Sequence, residues 1–310
     1  MYTRFSGGDD HDNAPASLVS RVSSDGGRTW SAQDETVLPA EGGMNVMSVS
    51  LERLGDGRLA LFYLRKVSLQ DCRARMRVSI DEGKTWGEPV DCMPEPGYYV
   101  VNNDRVVRTS KGRLIVPAAL HVYEGKRISP GVARCFLSDD DGRSWRASAT
   151  IAAPEGSRSG LQEPLVVELK DGRVLMLQRT DRGVQYRSFS RDGGETWSAA
   201  EPSELRSPLS PASIERLPSG ELLLVWNDHA DAPPALRGKR TPLRAAISKD
   251  EAATWSPAKT LEDAPDGWYC YTAMEVVGDH VLLAYCAGDP KVGPLNRTQI
   301  TRVPLSWLPR

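Results

Sequence analysis

Ser23-Ser24-Asp25-Gly26-Gly27-Arg28-Thr29-Trp30 is a phrase that this chain repeats. It returns as Ser79-Ile80-Asp81-Glu82-Gly83-Lys84-Thr85-Trp86 and as Ser138-Asp139-Asp140-Asp141-Gly142-Arg143-Ser144-Trp145. Two further copies are Ser190-Arg191-Asp192-Gly193-Gly194-Glu195-Thr196-Trp197 and Ser248-Lys249-Asp250-Glu251-Ala252-Ala253-Thr254-Trp255. The shared pattern is Ser-x-Asp-x-Gly-x-(Thr/Ser)-Trp, with serine-to-serine spacings of 56, 59, 52 and 58 residues. A period of this size is the mark of a propeller or an array. Asp and Ser side chains bond neighbouring backbone N–H groups and close a tight turn. Gly supplies a positive φ, and Trp adds a large apolar surface suited to wedging between adjacent sheets. Ala252 replaces the glycine in the fifth copy, which predicts a looser or altered turn there.

A weaker repeat lies between these boxes. Apolar runs flank small turns at Asp56-Gly57-Arg58, Lys111-Gly112-Arg113, Asp171-Gly172-Arg173 and Ser219-Gly220-Glu221, with Gly278-Asp279-His280 as a degenerate fifth. These are hairpin signals. One hairpin plus one box-linked pair makes four strands per repeat, which is one propeller blade. No long apolar stripe of helical period is present, so helix should be scarce. The expectation is an all-β, six-bladed β-propeller forming a single domain over residues 1–310, its sixth blade running from about Tyr271 to Leu305. The first blade is short, since only Met1 to Phe5 precede the loop leading to the first box. Either another strand completes it or the chain begins downstream of its true start; the reading favours the second.

Composition narrows the function. A net charge of −2 gives no electrostatic case for nucleic acid or an anionic membrane. No run of roughly 18 apolar residues suggests a membrane span. No apolar signal segment opens the chain as given, so the expected location is cytoplasmic. The cysteines are Cys72, Cys92, Cys135, Cys270 and Cys286, an odd number without a C-x-x-C pair. They read as buried free thiols rather than as a disulfide framework or a zinc site. His11, His121, His229 and His280 show no ligand spacing either, and no metal or cofactor is expected.

Boxes of this kind on propeller strands resemble those of the sialidase (neuraminidase) superfamily, and the likeness covers nearly the whole chain. The boxes speak for the fold; function rests on the residues between them. In that superfamily the substrate carries a carboxylate on its anomeric carbon, so arginines bind it. A tyrosine activated by a glutamate is the nucleophile, and an aspartate is the acid/base. The stretch Gln162-Glu163-Pro164-Leu165-Val166-Val167-Glu168-Leu169, continuing to Arg179, is similar to the one that bears the activating glutamate and the second carboxylate-binding arginine. The resemblance thus implies that Glu163 is the activator and Arg179 a substrate ligand. Arg240, in Gly238-Lys239-Arg240-Thr241-Pro242-Leu243, takes the place of the third arginine. Tyr271-Thr272-Ala273-Met274 supplies Tyr271 as the nucleophile. Tyr269, two residues earlier on the same alternating face, is its rival.

The stretch Arg4-Phe5-Ser6-Gly7-Gly8-Asp9-Asp10-His11-Asp12 looks like the acid/base loop, with Asp10 favoured as the proton donor, then Asp12. Arg4 joins the substrate-binding candidates. The sequence departs from the family pattern in lacking the first carboxylate-binding arginine, whose motif lies about one strand pair upstream; neither Arg4 nor Arg65 is a simple replacement. Tyr98-Tyr99-Val100-Val101-Asn102-Asn103-Asp104-Arg105 and Trp226-Asn227-Asp228-His229 stand outside the family pattern. Asn103, Asp104, Arg105, Asn227 and Asp228 can hydrogen-bond sugar hydroxyls, although Asn and Asp also make turns and Arg105 can pair with a neighbouring acid.

The expectation is therefore an exo-acting, retaining glycoside hydrolase that removes a terminal acidic sugar, most simply sialic acid. Its partner would be a glycan or glycoside bearing that sugar. One alternative is a hydrolase or lyase for uronic-acid glycosides, with Tyr271, His121 or His229 as acid/base. Another is a non-catalytic glycan-binding propeller.

Overall fold

The computed structural model describes residues 1–7, 12–125 and 127–309. Strands follow one another in small antiparallel groups. The first is β1 (Tyr2–Phe5), β2 (Ala16–Ser20) and β3 (Glu35–Leu38). The second is β4 (Asn45–Arg53), β5 (Leu59–Lys66), β6 (Cys72–Ser79) and β7 (Val90–Asp91). In the third, β8 (Tyr98–Val100) and β9 (Val107–Arg108) both pair with β10 (Leu114–His121). After a small excursion, β11 (Tyr123–Glu124) with β12 (Arg127–Ile128), the third group closes with β13 (Val132–Ser138) and β14 (Arg146–Ala147). A single parallel pair, Cys72 with Tyr98, links the second group to the third.

The fourth group is β15 (Gln162–Glu168), β16 (Val174–Arg179), β17 (Val184–Ser190) and β18 (Glu201–Arg206). The fifth is β19 (Ser213–Arg216), β20 (Leu222–Asn227), β21 (Leu243–Ser248) and β22 (Lys259–Glu262). The last is β23 (Trp268–Val277), β24 (His280–Gly288) and β25 (Thr298–Pro304). This is the blade succession of a β-propeller, as the repeat predicts. The first and last groups have three strands instead of four. Among the described residues, helix is limited to two 3₁₀ turns, Pro234–Leu236 and Leu305–Trp307.

The boxes are near-identical hydrogen-bonded turns. In the third, Ser138 Oγ donates to Asp140 Oδ1 at 2.8 Å and accepts from the Gly142 amide at 2.8 Å. Asp140 in turn accepts from the Ser144 amide at 2.9 Å and from its hydroxyl at 2.6 Å. The fifth box is not looser, contrary to the sequence expectation. The Ala252 amide donates to Ser248 Oγ at 2.8 Å, and the Thr254 amide to Asp250 Oδ1 at 2.8 Å. The turn is held by backbone amides, which alanine also has, so Ala252 adopts a left-handed φ of 64° where glycine holds φ 80–95° in the other copies. The box tryptophans are half-buried; Trp145 folds its indole N–H onto the Gly142 carbonyl at 3.0 Å and meets Phe62 of β5 edge-on at 6.1 Å.

The weaker repeat forms hairpins as expected. In four of them the flanking backbone closes in one way, as at Leu54, where its amide donates to the Arg58 carbonyl at 2.9 Å. The fifth is tighter, with Val277 paired directly to His280 around Gly278 and Asp279.

The described residues gather into two compact units. The first comprises Met1–Arg21, Ser31–Met176 and Ser188–Ala200. It buries one cluster around Phe62, Met76, Tyr99, Val116 and Phe136 and another around Leu18, Val46, Leu61 and Tyr63. The second comprises Val22–Trp30, Leu177–Arg187 and Glu201–Arg310. Its core joins Val225, Ile247, Tyr269, Met274, Leu283 and Tyr285.

Candidate active site

Tyr271 owes its orientation to a bulge. Along β23 and β24, Cys270 faces Cys286 and Ala273 faces Ala284. Tyr271 and Thr272 therefore stand together opposite Tyr285 alone, the two-against-one arrangement of a β-bulge. Tyr271 takes the left-handed φ of 62°, which is costly for a bulky residue and marks a functional or strained position. The bulge corrects the expectation that Tyr269 and Tyr271 share a face, because the extra residue breaks strand alternation. Tyr269 is buried in the core, its ring edge-on to Tyr285 at 6.4 Å. The Tyr271 ring instead sits with Trp268 beside Arg240, whose guanidinium is 5.0 Å from each ring centroid.

Arg240 is itself buried. Its carbonyl accepts the Tyr269 amide at 2.9 Å, so the arginine segment is tied to the strand that carries Tyr271. The following segment is braced from β20 and beyond: Asn227 Nδ2 donates to the Pro242 carbonyl at 3.2 Å, and His229 Nε2 lies 3.2 Å from the Thr241 carbonyl. Asp228 pairs with Arg244 at 3.1 Å and accepts the Ala230 amide at 2.9 Å. Asn227 and Asp228 are thus engaged in holding the fold around Arg240. Arg179, also in the second unit, ends β16 half-buried.

In the first unit, Glu163 is the second residue of β15, half-buried and left-handed at φ 42°. Asp104 shares that conformation at φ 56°, and its amide donates to the Val49 carbonyl at 2.9 Å. Arg105 is buried, and its amide donates to Ser50 Oγ at 2.8 Å. The Asn103 amide is held by Asn102 Oδ1 at 2.7 Å. His121 lies buried with Nδ1 2.9 Å from the Ser129 carbonyl. Arg4 is half-exposed on β1 and pairs with Asp34 at 3.5 Å, on the acid that Arg21 also binds.

Asp9 and Asp10 lie outside the described residues. Asp12 lies within them, with a carboxylate oxygen 3.3 Å from Lys66 Nζ, the ammonium of a fully buried side chain. The Lys66 ammonium also stands 5.2 Å over the Tyr98 ring. The fully buried Asn45 donates Nδ2 to the Asp12 carbonyl at 2.7 Å and to the Ala14 carbonyl at 2.9 Å. Lys66 and Asn45 were missed from sequence; an isolated Lys at the end of an apolar strand was the available signal. Four of the five cysteines are buried and Cys286 is half-buried, all as free thiols; burial pushes the Cys72 thiol up to about 12.

Among the described residues, no three His, Cys, Asp or Glu side chains gather into a metal site, and no helix is long and apolar enough to cross a membrane.

Comparison with known proteins agrees with this architecture. The BNR repeat-like domain matches residues 2–283. A curated sialidase from Micromonospora viridifaciens is 27% identical over 301 residues, covering 82% of this chain and 44% of the relative. The chain thus spans less than half the length of that relative. A crystal structure of a Dyadobacter fermentans protein of unknown function superposes with a TM-score of 0.75 at 22% identity, covering 96% of this chain and 86% of the other. The NanB sialidase from Streptococcus pneumoniae superposes with a TM-score of 0.74 at 15% identity, covering 99% and 66%. The chain belongs to the BNR repeat-like domain family, within the sialidase superfamily.

Proposed function

We propose that this chain is a retaining, exo-acting glycoside hydrolase that releases a terminal acidic sugar, most simply sialic acid. The observation that carries the reading is Tyr271, a tyrosine held in a left-handed bulge with its ring against a buried arginine. Relatives that bear the name sialidase support it.

In this reading Arg240 and Arg179 bind the sugar carboxylate through charge-assisted hydrogen bonds. That same carboxylate would repel an Asp or Glu nucleophile, whereas a phenol is neutral until it reacts. By the family resemblance, the Tyr271 oxygen would attack the anomeric carbon, Glu163 is the residue that would accept the phenol proton, and Asp10 the one that would protonate the departing glycosidic oxygen. The Arg240 cation stabilises negative charge developing on the phenol oxygen. Water then attacks the glycosyl–tyrosine bond from the opposite face, Asp10 taking its proton and Glu163 returning one to the phenolate. Two displacements retain the anomeric configuration. Asp12, whose carboxylate lies 3.3 Å from the Lys66 ammonium, is the second candidate for that proton transfer.

The test is hydrolysis of a fluorogenic sialic acid glycoside by the parent and by Tyr271→Phe. The expected loss in kcat is at least about a hundredfold, since the first displacement loses its nucleophile. Turnover by Tyr271→Phe equal to that of the parent would refute the assignment, and an inactive parent would move the reading to another acidic sugar or to binding alone.

A further inference from the structure

The bulge that carries Tyr271 has a counterpart elsewhere in the chain. Along β4 and β5, Met47 faces Leu64 and Ser50 faces Phe62, so Ser48 and Val49 together oppose Tyr63. Ser48 is left-handed at φ 62°, the same value as Tyr271. In both hairpins the residue opposite the bulge is therefore a tyrosine, and each is almost fully buried, Tyr63 at 1% exposure and Tyr285 at 2%.

The two phenols are held alike. Tyr63 Oη donates to Glu41, with both carboxylate oxygens at 2.9 Å, and Arg77 Nε donates to it at 3.2 Å. Tyr285 Oη donates to Glu262 at 2.6 Å, lies 2.7 Å from Thr301 Oγ1, and accepts from Gln299 Nε2 at 2.9 Å. Even the outer strands correspond. Arg75 faces Tyr63 and Gln299 faces Tyr285, with Arg77 and Thr301 two residues further on. The device is an acid, a buried tyrosine and a polar pair on the next strand. In the first unit it lies opposite the bulge that holds Ser48, and in the second opposite the bulge that holds Tyr271.

A left-handed bulky residue persists only where its surroundings over-determine it. Tyr285 is the one residue paired against the bulge, and its ring packs on Tyr269, two residues before Tyr271. We propose that Tyr285, fixed at its hydroxyl by Glu262, Thr301 and Gln299, is a positioning residue for Tyr271. The inference deepens the hydrolase reading and rests on it for the kinetic consequence, but not for the structural one.

The matched device supplies its own control. In Tyr285→Phe, amide exchange over residues 270–273 should speed up by at least about tenfold, because local opening becomes easier. In Tyr63→Phe the same change should appear at residues 47–50 instead. With the fluorogenic sialoside, Tyr285→Phe should lower kcat by about tenfold with KM within about twofold, since misplacing a reacting group costs rate more than binding. Tyr63→Phe should leave both constants unchanged, and Glu262→Gln, which keeps an acceptor for the phenol, should retain most of kcat. If Tyr285→Phe does not fold, Thr301→Val carries the same test with one partner removed. Unchanged exchange at 270–273, or an equal loss of kcat in Tyr63→Phe, overturns the inference. If the parent turns over no sialoside, the exchange measurement still decides the positioning claim, and the functional reading alone falls.

Discussion

Ala252 sits at φ 64° where the other boxes place glycine. An L-residue there costs about 1–2 kcal/mol, while glycine costs about 0.5–1 kcal/mol in lost chain entropy. The difference favours glycine, since the hydrogen bonds of the turn are already complete with alanine. Ala252→Gly should therefore stabilise the protein by about 0.5–1 kcal/mol and raise Tm by about 1–2 °C, read by calorimetry. A lower Tm would mean that the backbone strain is relieved locally. The same conformational class singles out Ser48, Asp104, Glu163 and Tyr271. The distances from Ser23 to Ser48, from Ser79 to Asp104 and from Ser138 to Glu163 are each 25 residues. The sequence does not announce that offset, because nothing in a serine, an aspartate or a glutamate marks a left-handed backbone. The expectation that Tyr269 and Tyr271 share a face failed for a related reason: strand alternation is local, whereas a bulge depends on how two strands are registered.

Elements were more legible than residues. Each box closes through bonds between residues at most four positions apart, so its chemistry is written in one short phrase. The same holds for the hairpins, whose turns carry their own glycines. The short first blade could be read from the few residues ahead of its box, but the three-strand last group was less legible, since strand count depends on pairing between distant segments. The boxes also make a prediction about acid. The Thr85 and Ser144 hydroxyls and amides hold Asp81 and Asp140 down at about 2; at Asp192, where burial opposes them, the Thr196 bonds still bring the carboxyl to about 2. Groups depressed on folding stabilise the protein fully above the unfolded carboxylate pKa, about 3.9, and lose that contribution as pH falls through the folded value. Tm should therefore hold level down to about pH 5 and fall between about pH 4 and pH 2. Asp140→Asn should lower Tm at neutral pH and make the acid fall shallower; curves that run parallel to the parent would show that the box carboxylates do not drive it.

At the scale of the whole molecule, the repeat reads out as a succession of blades, and the candidate site residues lie between the boxes. Sequence resemblance pointed to Glu163, Arg179, Arg240 and Tyr271, and the structure gives two of them, Glu163 and Tyr271, the same uncommon backbone and sets Arg240 against the Tyr271 ring. Asn227 and Asp228 show what a local reading leaves out: both read as sugar ligands, and Asn227 Nδ2 and the Asp228 carboxylate also bond Pro242 and Arg244. Such partners come from other strands and are invisible in a local reading. In the proposed mechanism Tyr271 becomes covalently bonded to the sugar. The measurement that tests it most directly is treatment with a fluorinated sialosyl fluoride, whose ring fluorine slows hydrolysis of the intermediate, followed by proteolysis and peptide mass spectrometry. A single glycosyl adduct on Tyr271 is expected. An adduct on a carboxylate side chain, or turnover that continues with no adduct on Tyr271, would contradict it.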